Sequence, residues 1–317
     1  MRKKEAVNRV NKYAVVVGSM NCDTIYLQDR LPERGETFFA RNANVVPGGK
    51  GANQAVQIAK LGLKTYMVAK IGEDNYGKYL KDEMKRYGVD TTHVLTGEGT
   101  TGLAAVHTLP DGVYYSTVAP GTNYEVKLSE IEERRDLIEN ASVAVFQSEI
   151  THEATERAIK IAHENGVYVV LNAAPARVYS AECLANVDCL IVNESEASFY
   201  LGKKISDPES ALKEGTRLLD LVGGIVIITL GKNGSVLLTK EEKIHFPADQ
   251  SIKPVETTGS GDSYVGAFAF MKANGASDTE ACEFASRCSQ YTITRVGGQP
   301  SMPYLCDLED TDSERIS

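Results

Sequence analysis

The sequence predicts an α/β fold: a doubly wound, mostly parallel sheet with helices on both faces, and a small second β-sheet projecting from it. Three observations predict it. Short, wholly apolar runs such as Val15-Val16-Val17 recur along the chain, as strands buried on both faces do. Helical patterns alternate with those runs, which is the signature of βαβ units. Two β-rich stretches, 24–46 and 102–119, break that rhythm and call for a sheet of their own.

At 317 residues the chain can bury one large α/β core or two smaller ones. No long apolar run or low-complexity tract interrupts it, so no membrane partner is expected. The net charge of −9 argues against nucleic acid as the main partner. Met1 to Lys12 is basic, polar and without an apolar core, so it reads as a tail and not as a secretory signal. The six cysteines (Cys22, Cys183, Cys189, Cys282, Cys288 and Cys306) include no Cys-x-x-Cys pair, and the expectation is a reduced chain in the cytoplasm. The five histidines are scattered without a His-Glu-x-x-His pattern, which sets aside a zinc centre.

Val15-Val16-Val17 followed by Gly18-Ser19 reads as the first parallel strand and its turn. No Gly-x-Gly-x-x-Gly follows, so this is not a dinucleotide site. Asn21 and Asp23 stand at alternate positions and would face the same way on extended chain, ready for one polyol. An Asx-type turn is the plainer reading of the same residues. Residues 24–46 look extended, and Pro110-Asp111-Gly112 between 102–109 and 113–118 is a hairpin signal. These stretches read as a lid or a dimer contact.

Between them, three glycines surround Lys50 in Pro47-Gly48-Gly49-Lys50-Gly51-Ala52-Asn53, and a helix begins at once. The spacing is not that of a Walker A loop. Glycines at a helix start let a ligand reach backbone amides, although a tight strand–helix turn also explains them. The alternation then runs as helix 51–61, strand 64–70, helix 76–87, helix 130–139, strand 142–148, helix 152–164, strand 167–171, strand 187–192, helix 208–221 and strand 225–229. Gly62 and Gly88 serve as C-caps, Ser129 with Glu132 as a capping box, and Asp207-Pro208 as N-cap and first-turn proline. A hairpin, 235–239 with 243–246, leads to the last helices.

The chain is organised around Thr257-Thr258-Gly259-Ser260-Gly261-Asp262, which runs straight into an apolar helix. The first turn of that helix leaves amides unpaired and concentrates positive partial charge. Gly259, Ser260 and Gly261 let an anion approach closely, and Asp262 is a carboxylate at neutral pH. An anion cradle beside a base suits phosphoryl transfer to a hydroxyl. Ordinary N-capping is the competing reading. Asn21 with Asp23, Glu149, Asn193 with Glu196, and Thr229 all follow predicted strands, so they line one crevice in a doubly wound sheet.

Taken together, these residues resemble the ribokinase-like sugar kinases, the phosphofructokinase B family. The motifs that carry the resemblance are Gly48-Gly49-Lys50-Gly51-Ala52-Asn53-Gln54-Ala55 and Thr257-Thr258-Gly259-Ser260-Gly261-Asp262. Leu171-Asn172-Ala173-Ala174-Pro175, Asn193-Glu194-Ser195-Glu196, Thr229-Leu230-Gly231 and Arg295-Val296-Gly297-Gly298-Gln299-Pro300-Ser301 support it. It covers residues 13–303 as a single domain, with 24–46 and 102–119 as the lid and 1–12 and 304–317 as tails. The resemblance implies a three-layer α/β/α domain with a β lid that also makes a homodimer contact. It implies ATP-dependent phosphorylation of a sugar's primary hydroxyl, the 5-hydroxyl of D-ribose in the first instance.

By the same resemblance, Asp262 would be the general base and Gly259, Ser260 and Gly261 the anion hole. Asn21, Asp23, Gly49, Lys50, Asn53 and Glu149 would hold the sugar together with Asp262. Asn193 and Glu196 would position Mg²⁺ and phosphates, while Thr229, Gly231, Gly234, Gly261 and Ser286 would line the ATP site. A monovalent cation, K⁺ in most members, would sit near Glu256, Thr258, Thr292, Arg295, Gly297 and Ser301. The chain departs from the family pattern at Glu256, where aspartate is usual, at Ser286, where a larger polar residue often meets adenine, and at Ala173, often proline. An acidic tail follows Pro303 where relatives often have a helix. Other pentoses, deoxyribose or a nucleoside remain as alternative substrates, and a non-catalytic sugar-binding protein as the alternative of another class.

Overall fold

The computed structural model describes residues 12–110 and 114–308. The tip of the predicted Pro110-Asp111-Gly112 turn and the far ends of both predicted tails lie outside the described residues. Among the described residues no helix is long and apolar enough to cross a membrane.

The chain opens with β1 (Ala14–Val17), buried along its whole length. It then leaves the main sheet through β2 (Asn21–Leu27) and β3 (Asn42–Gly48) before α1 (Lys50–Lys60), β4 (Thr65–Gly72) and α2 (Asn75–Arg86). The Asp74 carboxylate caps α2 by accepting from Gly77 N–H. Two short strands follow, β5 (Val89–Asp90) and β6 (Val94–Gly97), and both pair with β4. The hairpin β7 (Gly102–Thr108) and β8 (Tyr114–Ala119) belongs to the second sheet.

The single helix predicted over 130–139 is two short ones, α3 (Leu128–Glu132) and α4 (Arg135–Glu139). Ser129 is not its cap. Lys127 occupies that position, and its N–H donates to Glu130 Oε2 at 2.8 Å. Glu132 instead pairs with Arg135 and Arg157. The alternation resumes as β9 (Val143–Phe146), α5 (His152–Glu164), β10 (Tyr168–Asn172), α6 (Ala181–Ala185), β11 (Cys189–Asn193) and α7 (Glu194–Leu201).

Next comes α8 (Pro208–Glu214), capped by the Asp207 carboxylate through Ser210 N–H. The helix predicted to reach 221 tightens at Gly215 into a 3-10 segment (Gly215–Asp220). A Cβ on Gly215 would come within 2.7 Å of Ile228 and Leu238, so the chain there lies directly on the sheet. The last elements are β12 (Ile225–Thr229), β13 (Ser235–Leu238), β14 (Lys243–Phe246), α9 (Ser260–Ala273) and α10 (Asp278–Thr292). Ser277 and Glu280 form the capping box that opens α10. Residues 305–308, within the predicted C-terminal tail, are helical, and Leu308 is buried in the core.

The main sheet runs β14-β13-β12-β11-β10-β9-β1-β4-β5, with β6 also on β4. Every pairing from β12 to β5 is parallel, and the β13–β14 hairpin adds an antiparallel edge. Alternate residues of each strand feed opposite layers. Val16, Val145 and Val170 join one buried cluster with α1, α9 and α10, whereas Val15, Val17 and Val169 join the other with α5 and α7. The three-layer α/β/α architecture thus follows from the strand alternation.

The second sheet has the order β3-β2-β7-β8. Its outer pairs are antiparallel and its central pair, β2 with β7, is parallel. Its β2–β3 half leaves the chain three residues after β1 and returns it just before α1, so the sheet hangs over the C-terminal edge of the main sheet.

Candidate active site

Helix α9 begins without a side-chain cap. Gly259 is its N-cap, with φ of 78° in the left-handed region, and its place against the Gly298 backbone leaves little room for a Cβ. The Thr/Ser-rich turn therefore does not cap the helix in the ordinary way. The Thr257 carbonyl accepts from Ser260 N–H, and the Gly259 carbonyl from Ser263 N–H. Above Gly261 there is open space within 4 Å of a would-be Cβ, so a ligand can approach the backbone. The first turn of a 14-residue helix thus presents positive partial charge to that space.

Asp262 stands in that turn with 9% of its surface exposed. Each of its carboxylate oxygens accepts a hydrogen bond from α1: Asn53 Nδ2 donates to Oδ2 and Gln54 Nε2 to Oδ1, both at 2.9 Å. Those amides are themselves held. Gln299 Nε2 donates to Asn53 Oδ1 at 3.0 Å, and Gln147 Nε2 to Gln54 Oε1 at 2.6 Å. Gln54 Nε2 also donates to Asn172 Oδ1 at 3.0 Å. The result is a directed network in which Gln299 and Gln147 fix the amide oxygens of Asn53 and Gln54, so that each of these two turns its NH₂ toward the carboxylate. Close helix packing makes it possible, because Gly266 of α9 lies against Gln54 and Gln57 of α1, where a Cβ would not fit.

The lid strand β2 carries Asn21 and Asp23 on one face, as the alternation requires. They belong to the second sheet, not to a turn after β1. The buried Asn123 amide holds Asn21 by donating to its Oδ1 at 2.8 Å and also reaches the Met20 carbonyl. That leaves the Asn21 amide hydrogens for the cleft. The Asp23 carboxylate lies over Gly48, and its Oδ1 is buried with no hydrogen-bond partner. Such an atom calls for a donor from a ligand.

Glu149, just past β9, accepts from Lys50 N–H at 3.1 Å and from the Ser19 hydroxyl. Gly49 takes φ of 88° to turn the chain from β3 into α1, and Gly51 packs on the backbone of Ser19. Asn21, Glu149, Asn123, Tyr124, Ser148 and Pro175 line one cleft.

The charges in this region interact. Burial first, then Glu149 and Asp262, push Asp23 up to about 7, and Lys50 opposes them. Burial also raises Glu196, where Lys50 again lowers and Asp262 raises. Lys50 and Asp262 are therefore within electrostatic reach of both the lid side and the β11 side of the crevice.

On the β11 side, Asn193 and Glu196 form the capping box of α7: Asn193 Oδ1 accepts from Glu196 N–H, and Glu196 Oε2 from Asn193 N–H, both at 2.9 Å. Beyond it, Thr229 ends β12, and Gly231 and Gly234 turn the chain with φ of 50° and 86°. A Cβ on Gly234 would strike the Phe246 carbonyl, which joins this turn to 247–252. Ser286, with Arg287 and Gln290, lines one groove together with Pro247, Ala248 and Ile252 of that segment.

The six residues assigned to a monovalent cation are only partly gathered. The Glu256 carboxylate accepts from Gly297 N–H at 2.9 Å, and Ser301 bonds within the Gly298–Ser301 turn. The Thr292 hydroxyl faces inward to Ser263 and the Cys288 carbonyl. The Arg295 guanidinium lies 3.5 Å from the centre of the Tyr291 ring. Neither side chain turns toward Glu256, so any contribution from these two positions falls to backbone oxygen. Ala173 donates its N–H to the Ile191 carbonyl at 3.2 Å, a bond that proline would lack.

Gln54, Gln147, Asn172, Asn123 and Gln299 were not among the residues the sequence singled out for the site. Two signals pointed to three of them: Gln147 and Asn172 end or follow buried strands, as the recognised polar residues do, and Gln54 stands one turn beyond Lys50.

Comparison with known proteins matches residues 11–305 to the model of the pfkB family of carbohydrate kinases. The chain is 34% identical over 305 residues to mouse ribokinase, with 93% of each chain covered. It is 32% identical over 295 residues to ribokinase of Haemophilus influenzae, covering 93% of this chain and 96% of that one. Among solved structures it superimposes on Arabidopsis thaliana ribokinase complexed with ribose and ATP with a TM-score of 0.86 at 30% identity, over 95% of this chain and 98% of the other.

Proposed function

The chain belongs to the pfkB family of carbohydrate kinases, and from that premise we propose that it transfers the terminal phosphoryl group of ATP to the 5-hydroxyl of D-ribose. It is a phosphotransferase with an alcohol as acceptor. The observation that carries the site reading is Asp262, held through both oxygens at the uncapped start of α9. There it takes the proton of the attacking hydroxyl while the amides of Gly259, Ser260 and Gly261 receive the charge on the transferring group. Asn21, Asp23, Gly49, Lys50, Asn53 and Glu149 hold the sugar. Thr229, Gly231, Gly234 and Ser286 line the ATP site.

The residues fit the cations this reading requires. Glu196 is a buried carboxylate raised by burial and by Asp262, and surplus negative charge of that kind suits Mg²⁺ beside Asn193. Bound there, Mg²⁺ supplies positive charge against the phosphate oxygens. Glu256 with the oxygens of Thr258, Gly297 and Ser301 and the backbone oxygens of Thr292 and Arg295 would offer an oxygen-only set suited to K⁺. Activity titrated with K⁺ and with Na⁺ is expected to rise more with K⁺, and equal rates in both would remove the cation from the reading. Exposed Val45 and Tyr115 on the second sheet, with exposed Phe39 in the loop between β2 and β3, support a homodimer through the lid. The free cysteines, five buried and Cys306 exposed, support a cytoplasmic protein.

Release of ADP across a panel of pentoses, hexoses and nucleosides tests the assignment. Ribose is expected to give the highest kcat/KM. A nucleoside at the top would replace the substrate, and tight sugar binding without turnover would favour the non-catalytic alternative.

A further inference from the structure

One stripe of α1 is polar and yet buried. Asn53, Gln57 and Lys60 recur at helical spacing on one face, and none is more than 8% exposed. All three reach the segment 299–303. Gln299 donates to Asn53 Oδ1, and Gln57 Nε2 donates to the Pro303 carbonyl at 3.1 Å. Lys60 Nζ donates to the carbonyls of Gln299 at 2.8 Å, Met302 at 2.7 Å and Pro300 at 3.3 Å. The rings of Tyr87 and Tyr304 flank its ammonium, each 4.8 Å away. Among the described residues no carboxylate is within ion-pair distance of it. Burying an ammonium is costly unless donors and ring faces are satisfied, and here three carbonyls and two rings satisfy it.

That arrangement fixes more than a loop. The side chain of Gln299 is wholly buried and ends on Asn53, which holds Asp262. The same turn lies under the start of α9, where Gly298 meets Gly259. We propose that Lys60 is a positioning residue for phosphoryl transfer, gathering the 299–302 carbonyls so that Gln299 orients Asn53 and, through it, the Asp262 carboxylate. The proposal rests on Asp262 being the base.

The test compares the parent chain with Lys60→Met, which removes the donors, Lys60→Arg, which keeps them, Gln299→Met, which cuts the last link, and the double variant Lys60→Met/Gln299→Met. Lys60→Met is expected to lower kcat roughly 10- to 100-fold, as small displacements of a reacting group do. KM for ATP should stay within about twofold, and KM for ribose, which Asn53 also helps to hold, should rise by much less than kcat falls, the pattern of an interaction that matters mainly in the transition state. Lys60→Arg should restore most of the rate. Gln299→Met should lose about as much as Lys60→Met, and the double variant should fall no further, because both lie on one route.

Wild-type kcat in folded Lys60→Met, or losses that multiply in the double variant, would overturn the role. Should Lys60→Met fail to fold, Gln299→Met alone decides, and an unchanged kcat there also overturns it. Absence of turnover in the parent chain would overturn the kinase reading and this one together, whereas normal parent turnover with undiminished variants overturns the positioning role alone.

Discussion

Asp262→Asn is expected to lower turnover with ribose at least ~10²-fold, the contribution of a positioned base, while ribose and ATP still bind. The substitution is nearly isosteric, so the anion cradle at the start of α9 should survive. Its effect on stability follows from the network. Both Asp262 oxygens accept from amide donors, and an asparagine NH₂ in place of one oxygen would face a donor. Neither neighbour can turn over freely, because Asn53 Oδ1 is held by Gln299 and Gln54 Oε1 by Gln147. One buried donor is left unsatisfied, at a cost of about 1–3 kcal/mol. Single-turnover ADP release, ribose titration calorimetry and urea unfolding measure the three parts. Normal turnover with intact binding would remove Asp262 as the base.

Much of this fold was legible because its signals are local. Strands such as Val15–Val17 and Ile225–Thr229 are continuous apolar runs, and Asp207 and Ser277 announce their helices with capping chemistry. The failures also have local causes. β5 has two residues and β6 four, too few for any period to show. The helix after Asp207 changes character at Gly215 because of what lies beneath it on the sheet, which no sequence window contains. Ser129 and Glu132 have the spacing of a capping box, but it is Glu130 that reaches back to the helix start, accepting from Lys127 N–H.

The site divides in the same way. Asp262 and the glycines around it stand in one short stretch, so their chemistry reads directly. The amides that hold Asp262 come from α1, and those that hold them in turn from β10, the residue after β9 and the turn after α10. A lone glutamine at 147 resembles any polar residue until the fold brings it to the carboxylate, and Gln299 stands in a recognised motif that gives no sign of its reach to Asn53. Thr292 and Arg295 show the converse: a motif fixes where the backbone goes without fixing where the side chains point.

Asp23→Asn separates binding from stability, and the two should move in opposite directions. Asp23 is raised to about 7 by burial and by the negative charges of Glu149 and Asp262. In the unfolded chain its carboxyl ionises near the ordinary value of 3.8. The folded protein therefore holds a proton that the unfolded chain has released, and the stability this confers is full below about 4 and is lost as pH rises through about 7. At pH 8, a working condition above that range, the ligand-free parent carries the cost of an ionised, crowded carboxylate. The asparagine variant does not, and should unfold later in urea by roughly 2–4 kcal/mol. Near pH 4 the difference should shrink.

On the proposed reading ribose reverses the balance, because its hydroxyls would donate to the ionised carboxylate and supply the partner that Oδ1 lacks. A charge-assisted hydrogen bond contributes about 1.5–3 kcal/mol, so losing one or two should raise KM for ribose roughly 10²-fold. In the parent chain, ribose affinity should weaken as pH falls below about 7, and in Asp23→Asn that dependence should flatten. Calorimetric titration of ribose at several pH values, beside urea unfolding of the ligand-free proteins, measures both arms. A variant that binds ribose as well as the parent and unfolds at the same urea concentration would show that the unpartnered oxygen of Asp23 is not where the sugar is held.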